Sequence, residues 1–218
     1  LRALGDNPIP GYHAHWFPAE KKGYSGVGLL CKEAPVEVQT GVGHETYDAE
    51  GRVIQARFAS GLNVINVYLP SGSQGSPRQQ VKEAFMDHFY AWVQDQPGFG
   101  RSQLIAGDLN ICHQPMDIHD PVRLKTVSGF LPHEREWLTK LLALGYLDSF
   151  RHLKPEAVEY SWFSYRARAK ERYKGWRRMK IDYQLVSEPL AAQLRAHDIQ
   201  FDYGLSDHVP CSLQLAAS

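Results

Sequence analysis

Short apolar runs alternate along the chain with longer stretches in which apolar residues recur every three or four positions. One short run, at residues 62–69, is rich in β-branched residues and stopped by Pro70, and another is ended by Gly107, which is typical of strands. Five such strands are predicted at residues 26–31, 62–69, 102–106, 180–186 and 209–215. The longer stretches predict helices at residues 78–93, 131–144 and 188–196. Strands interleaved with helices indicate an α/β protein.

Composition places the chain among ordinary globular proteins. Its 218 residues are 43% hydrophobic and 22% charged, which suits a single domain spanning residues 1–218. No run approaches the roughly 20 apolar residues of a membrane span, so we expect no membrane partner. The chain begins at Leu1 without a signal peptide or an initiator Met, so we expect it to be processed or incomplete. Three widely spaced cysteines favour a reduced, intracellular protein.

Charge is balanced overall but unevenly distributed. The chain carries 24 basic and 24 acidic residues, yet residues 166–180 hold eight Lys or Arg against Glu171 alone. One interpretation is a solvated loop, and the other is a patch that binds a polyanion.

Polar residues cluster where predicted strands end, which is where α/β proteins usually build their sites. Asp108 and Asn110 follow the third strand, and strand alternation would place both side chains on one side of the chain. Gly107 allows close approach of backbone or ligand. Asp108 could ligate a divalent ion or position a water, and Asn110 could donate to a phosphate oxyanion while its carbonyl faces a metal. Both are also ordinary turn residues.

A second polar group precedes the last strand. Asp207 is a candidate ligand for Mg²⁺ or Mn²⁺, and His208 could contact a phosphate or exchange a proton. Asp182 lies within an apolar strand and needs a partner there, for which His208 is our candidate and a Lys or Arg the alternative. Tyr68, at the end of the second strand, could hydrogen-bond a phosphate oxygen. The chain lacks Gly-rich phosphate loops, GxSxG elbows and HExxH helices, which argues against nucleotide-cofactor enzymes, serine hydrolases and zinc proteases.

Nine motifs in order then carry a resemblance to a known family. They lie at residues 23–28, 51–54, 67–72, 107–111, 129–137, 148–152, 161–166, 181–183 and 206–210. The series resembles the exonuclease III family of apurinic/apyrimidinic endonucleases, within the endonuclease/exonuclease/phosphatase superfamily. The resemblance implies a four-layer α/β sandwich of the DNase I-like type, with two mixed β-sheets face to face and helices outside. It also implies Mg²⁺- or Mn²⁺-dependent cleavage of DNA 5′ to abasic sites, with 3′-end processing and 3′→5′ exonuclease activity.

The resemblance also implies residue roles. Asp108 would orient or activate the attacking water, Asn110 would assist at the transition state, and Tyr68 would contact phosphate. Asp182 would be the partner of His208. The implied metal contacts are Asp108, Asn110, Asp207 and His208, and the implied DNA contacts are Tyr24, Arg52, Trp162, Arg177 and Arg178. Trp162 would form the aromatic wall that receives a flipped-out abasic sugar.

The chain departs from the family pattern in three places. The family's opening N-x-N-G strand and its Gln-Glu motif, whose Glu is the principal metal ligand, are not in the sequence, so we expect the first strand and helix to be missing. A DNA-gripping loop of the family is replaced by residues 122–128, and the basic segment before Asp182 is longer than usual. The last two differences bear on abasic specificity rather than on phosphodiester cleavage.

Partners and alternatives complete the hypothesis. We expect a monomer that acts on double-stranded DNA with abasic sites or blocked 3′ ends, in the cytoplasm of a bacterium or the nucleus of a eukaryote. The alternatives are a superfamily phosphodiesterase acting on phospholipid or inositol phosphates, and a catalytically impaired nucleic-acid-binding relative. We expect the 218-residue chain alone to be poorly active, because its metal would lack the family's Glu.

Overall fold

The structure is a computed structural model that describes residues 9–96, 101–164, 178–201 and 206–216. Its strands are β1 His13–Phe17, β2 Val27–Cys31, β3 Glu37–Thr40, β4 Val53–Arg57, β5 Asn63–Tyr68, β6 Gln103–Asp108, β7 Tyr146–Asp148, β8 Trp162–Phe163, β9 Arg178–Met179, β10 Asp182–Ser187, β11 Leu194–Ile199 and β12 Cys211–Leu215. Its helices are α1 Glu45–Ala49, α2 Ser76–Gln94, α3 Pro132–Leu142, α4 Ser149–Leu153 and α5 Glu188–Ala191.

Six strands form one mixed sheet in the order β3-β4-β5-β6-β10-β7. Strands β5 and β6 run parallel, joined by the crossover helix α2, and the other neighbours are antiparallel. One face of this sheet packs on α2 and α3. Its core includes Ile65, Val67 and Leu185 from the sheet, with Phe89 and Leu138 from the two helices. Burying this apolar layer is what holds the helices against the strands.

Two antiparallel hairpins cover the opposite face of the sheet. Asn66 lies between two residues that face the helices, so its side chain points away from them, and its amide donates to the carbonyl of Gly28 in β2 at 2.9 Å. Gln184 in β10 likewise donates to the carbonyl of Cys211 in β12 at 2.9 Å. The second layer is therefore made, within the described residues, of the hairpins β1-β2 and β11-β12.

Most predicted elements are confirmed, with two corrections. The helix predicted at residues 188–196 ends at Ala191, and Leu194–Ile199 is strand β11 paired with β12. Leu194, His197 and Ile199 are buried there, with a register shift between Leu194 and Ala196, so packing against the sheet overrode the local helical pattern. The strand predicted as buried at residues 26–31 is largely half-exposed, with Val27 its one buried residue.

Several elements were not predicted, including β1, β3, β7 and α4. The three cysteines form no disulfide. Within the described ranges, no helix combines the length and the apolar character needed to cross a lipid bilayer.

Candidate active site

A cleft of about 650 Å³ opens where β5 and β6 end and β10 begins. Residues from the strand ends and from the loops after β5 and β6 line it. They include Tyr68, Ser71, Asp108, Asn110, Leu124, Ser128, Trp162, Ser164, Met179, Asp207 and His208. Six of the predicted site residues therefore meet in one cleft, and a seventh, Asp182, is bonded to His208 at its edge.

Strand register explains why three of these residues are neighbours. Tyr68 pairs with Asp108 across the parallel strands β5 and β6, and Asp108 pairs with Asp182 across the antiparallel strands β6 and β10. Residues that are directly opposite in a sheet present their side chains on the same face. Gly107 makes the close strand approach possible, because a Cβ there would lie 2.0 Å from the carbonyl oxygen of Val67. This confirms the reason predicted for that glycine.

Asp108 and Asn110 are in direct contact, but not through strand alternation as predicted. The strand ends at Asp108, and Asn110 takes a left-handed conformation with φ of 51°. Its backbone N–H donates to Asp108 Oδ1 at 2.8 Å, and its side-chain Nδ2 donates to Asp108 Oδ2 at 3.0 Å. Nδ2 also donates to the carbonyl of Leu69 at 2.9 Å. Both hydrogens of the side-chain amide are thus engaged, which leaves the side-chain oxygen Oδ1 of Asn110 as the group suited to a ligand.

The Asp108 carboxylate sits in an unfavourable environment for a negative charge. Burial raises the pKa of Asp108 well above its ordinary value, and the nearby charge of Asp182 raises it further. The charge of His208 and the backbone hydrogen bond from Asn110 oppose that rise. A carboxylate whose pKa is raised in this way is a stronger base, which suits proton transfer at neutral pH.

His208 is paired with Asp182, as predicted. Its Nδ1 lies 2.9 Å and 3.1 Å from the two carboxylate oxygens. Burial lowers the pKa of His208, but the hydrogen bond and charge of Asp182, together with Asp108 and Asp207, outweigh this and raise it to about 9. A protonated imidazole has no lone pair for a metal, so this geometry favours the predicted phosphate contact over the predicted metal contact.

Trp162 and Asp207 are held together at the cleft wall. The indole Nε1 of Trp162 donates to Asp207 Oδ2 at 3.0 Å. The backbone of the same segment pairs with the segment of Asp207 and His208, through Phe163 N to the Asp207 carbonyl at 2.8 Å. Trp162 thus lines the cleft and orients Asp207, and its role as the wall for an abasic sugar stays a prediction.

Arg52 and Tyr24, predicted as DNA contacts, form an internal cluster beneath Tyr68. Arg52 is only 2% exposed, and its guanidinium lies 4.6 Å from the centre of the Tyr68 ring. It donates to the Tyr68 carbonyl at 3.2 Å, to Tyr24 Oη at 3.2 Å and to Glu50 at 2.8 Å. A buried and internally bonded guanidinium supports Tyr68, and the contact of Arg52 with DNA stays a prediction. Tyr24 shares this cluster, and its contact with DNA stays a prediction.

The basic segment is only partly described. Arg177, and with it most of residues 166–180, lies outside the described residues. Arg178 is half-buried, with its guanidinium 5.3 Å from the centre of the Tyr160 ring. Lys180 is fully buried, and its Nζ donates to Asp148 Oδ2 at 2.7 Å. Counting Lys180 in an exposed patch was therefore wrong, since its charge is neutralised inside the fold.

A buried ion pair behind the cleft was missed by the sequence analysis. Lys82 in α2 and Glu134 in α3 are both 0% exposed, with Nζ and Oε1 2.6 Å apart. Lys82 also donates to the carbonyl of Asn110 at 2.8 Å. The helical pattern held a signal for it, because Lys82 falls three residues before Phe85 on the buried face of α2. A Lys on such a face must find a partner inside the fold.

The donors in the cleft have the chemistry of a divalent-metal site. No three His, Cys, Asp or Glu side chains within the described ranges form a ready-made metal cluster. Mg²⁺, however, is commonly held by one or two carboxylates together with waters and substrate phosphates. Asp108, Asp207 and the side-chain Oδ1 of Asn110 supply such oxygens. The crowding of Asp108 and Asp182, which raises the pKa of Asp108, is also relieved by a nearby cation.

The sequence was compared with known proteins and solved structures. The model of the endonuclease/exonuclease/phosphatase family matches residues 1–208. The chain belongs to this family. It is 40% identical over 207 residues to an exodeoxyribonuclease of Bacillus subtilis, covering 93% of this chain and 79% of that protein. Family membership and this relative confirm the predicted enzyme class, a hydrolase of the exonuclease III and AP endonuclease group.

Two solved structures extend the family assignment to the fold. An AP endonuclease from Archaeoglobus fulgidus has a TM-score of 0.85 and 30% identity, covering 95% of this chain and 80% of that one. A 3′ phosphatase from Neisseria, solved bound to a product DNA hairpin, has a TM-score of 0.85 and 29% identity, covering 99% and 92%. These similarities confirm the predicted α/β sandwich of the DNase I-like type.

Proposed function

We propose that this family member is a divalent-metal-dependent DNA phosphodiesterase that cleaves the backbone 5′ to abasic sites, with 3′-end processing as a further activity. The observation that carries the proposal is that a carboxylate and a protonated imidazole line the same cleft. Asp108 is a carboxylate with a raised pKa, and His208 is an imidazole kept protonated by Asp182. A base and a charged donor in one cleft are what hydrolysis of a phosphodiester requires.

Each residue has a role that follows from its contacts. Asp108 takes the proton of the attacking water, and the two hydrogen bonds from Asn110 fix the orientation of its carboxylate. His208 donates to a phosphate oxygen as negative charge develops there. Tyr68 pairs with Asp108 across β5 and β6, and Arg52 packs against its ring. Its hydroxyl hydrogen-bonds to the phosphate.

A divalent ion would be held by Asp108, Asp207 and the side-chain oxygen Oδ1 of Asn110. When bound, it would polarise the scissile phosphate and neutralise charge on it. We propose Mg²⁺ or Mn²⁺, since all three donors are oxygens.

Substrate choice is proposed from the cleft wall and from the relatives. Trp162 gives the cleft one aromatic side, against which an extrahelical sugar can rest. The relatives are named as an exodeoxyribonuclease, an AP endonuclease and a 3′ phosphatase, of which the last was solved with a DNA product. A nucleic-acid substrate is therefore favoured over the phospholipid or inositol phosphate of the alternative reading.

The proposal is tested with the protein expressed from its complete reading frame and a labelled duplex that carries one abasic site. We expect nicking 5′ to that site with Mg²⁺, no nicking of the intact duplex, and full inhibition by EDTA. Asp108→Ala should reduce nicking by about a thousandfold, in the range for loss of a general base, while DNA binding persists. Wild-type rates in that variant would refute the assignment.

The same assay separates the alternatives. Hydrolysis of inositol phosphates without nicking would favour the small-phosphate phosphodiesterase. Binding to the abasic duplex without turnover in Mg²⁺ or Mn²⁺ would favour the catalytically impaired relative. Removal of a 3′ phosphate from a nicked duplex would establish the proposed 3′-end processing activity.

A further inference from the structure

The ion pair Lys82–Glu134 lies behind the cleft, where no substrate can reach it, because both side chains are 0% exposed. A buried ion pair adds little net stability, since the cost of desolvating two charges offsets their attraction. What such a pair fixes well is geometry, because both charges must keep all their hydrogen-bond partners in place.

Those partners are segments of the active site. Lys82 Nζ donates to the carbonyl of Asn110 at 2.8 Å. Glu134 Oε2 accepts from the backbone N–H groups of Gly129 at 2.7 Å and Leu131 at 3.0 Å. The pair therefore joins α2, the start of α3, the loop after β6 and the turn at residues 128–131. A further bond, from the N–H of Cys112 to the Gly129 carbonyl at 2.6 Å, ties the same loop and turn together.

Lys82 is connected to the Asp108 carboxylate through a single residue, Asn110. Asn110 adopts a left-handed backbone, with φ of 51°, a region that most L residues enter rarely and Asn more readily. In that conformation its backbone and side chain bond both oxygens of Asp108. A shift of the Asn110 backbone therefore turns the Asp108 carboxylate away from its direction in the cleft.

We propose that Lys82 and Glu134 are positioning residues for catalysis, which hold the Asn110 loop so that the Asp108 carboxylate keeps one orientation toward the substrate. They touch no substrate and transfer no proton. The inference rests on the proposed function, because its kinetic consequence is read from DNA cleavage. A small misplacement of a catalytic group can cost about a hundredfold in rate.

Three variants separate positioning from stability. Lys82→Met removes the cation but keeps the length of the side chain, and leaves the Glu134 charge buried alone. The double variant Lys82→Met/Glu134→Gln removes both charges, while the Gln oxygen can still accept from Gly129 and Leu131. The matched control is Val93→Ala, a fully buried position in the last turn of α2, on the same helix as Lys82 but outside the ion pair.

We expect Lys82→Met to lower both stability and kcat, with kcat reduced about 10- to 100-fold and KM changed less than about threefold. The double variant should regain stability, since no uncompensated charge is buried, but its kcat should stay low because the Asn110 carbonyl still lacks its donor. Val93→Ala should lose stability and keep kcat. If kcat recovers together with stability in the double variant, the pair is merely structural and the inference is wrong.

A second measurement does not depend on activity. Hydrogen exchange at the Cys112 amide, which bridges the loop and the turn, should be faster in Lys82→Met and in the double variant than in Val93→Ala at equal global stability. Unchanged exchange would overturn the inference. Failure of the wild-type protein to cut DNA would instead overturn the proposed function and leave the exchange result to stand by itself.

Discussion

Two regions of the protein interior differ in the kind of side chain that they bury. Between the sheet and its helices the buried side chains are almost entirely apolar, with Phe85, Phe89 and Leu138 among those with no exposed surface. At the cleft end the buried groups are charged and paired, namely Lys82 with Glu134 and Lys180 with Asp148. The apolar region stabilises the fold through the hydrophobic effect, which is non-directional and contributes about 1.5–3 kcal/mol for each large side chain. The buried ion pairs add little net stability, but they fix the positions of the segments to which they are hydrogen-bonded. Stability and catalytic geometry should therefore respond to different substitutions.

The largest expected effect is on catalysis, from Asp108→Asn. The amide keeps the size of the carboxylate but cannot act as a base, so nicking should fall about a thousandfold. Because burial beside Asp182 disfavours the Asp108 charge, the free energy of unfolding should stay the same or rise. Nicking rates and urea unfolding at pH 7 measure the two quantities. A large loss of stability would show that Asp108 supports the fold after all.

The converse substitution is Phe89→Ala in the apolar region. Phe89 has no exposed surface and packs between Phe85 and Trp92, at ring distances of 6.0 Å and 5.8 Å. Its truncation should cost about 3–5 kcal/mol of unfolding free energy. The specific activity of the folded fraction should be unchanged, and a fall in kcat with intact folding would show that the two regions are coupled.

A buried imidazole gives a pH-dependent effect on stability. His197 packs edge-to-face against Phe150, and its Nδ1 lies 2.8 Å from Ser149 Oγ. Burial lowers the pKa of His197 to about 4, against 6.5 for an unperturbed imidazole. The unfolded chain thus takes up the proton first, so this contribution is present above pH 6.5 and is lost as the pH falls toward 4.

Urea unfolding at pH 7 and pH 5 tests this contribution. The free energy of unfolding should fall by about 2 kcal/mol from this group. His197→Gln, which cannot take up the proton, provides the control and should show a smaller fall. Equal falls in the two proteins would assign the pH dependence to other groups.

The smallest expected effect is on the pH profile of cleavage. With a pKa of about 9, His208 stays protonated through neutral pH, so kcat should decline only above about pH 9. Asp182→Asn removes the partner, and the pKa should return toward 6.5, which lowers the rate at pH 7 about fourfold. His208→Gln should lack this alkaline decline altogether. An unchanged profile in Asp182→Asn would separate the decline from His208.

The uneven success of the sequence analysis follows from the same contrast. The apolar spacing of Phe85, Phe89 and Trp92 predicted α2 well, because one helix face is a local property of the chain. The end of α5 was wrong, because pairing of Leu194–Ile199 with β12 is decided by a partner far along the chain. Lys180 was counted in the basic segment 166–180, yet its charge is neutralised inside the fold by Asp148, a residue of a strand distant in sequence.

The sequence alone determined the α/β pattern, the family and the chemical identity of Tyr68, Asp108, Asp182 and His208, since residue types and motif order are written in the chain. Only the tertiary structure decided that the side-chain amide of Asn110 donates to Asp108 and Leu69. It also decided that Arg52 packs against Tyr68, and that Lys82 and Glu134 lie behind the site. The physical reason is that hydrogen-bond partners and burial arise from segments distant in sequence, which the local pattern does not encode.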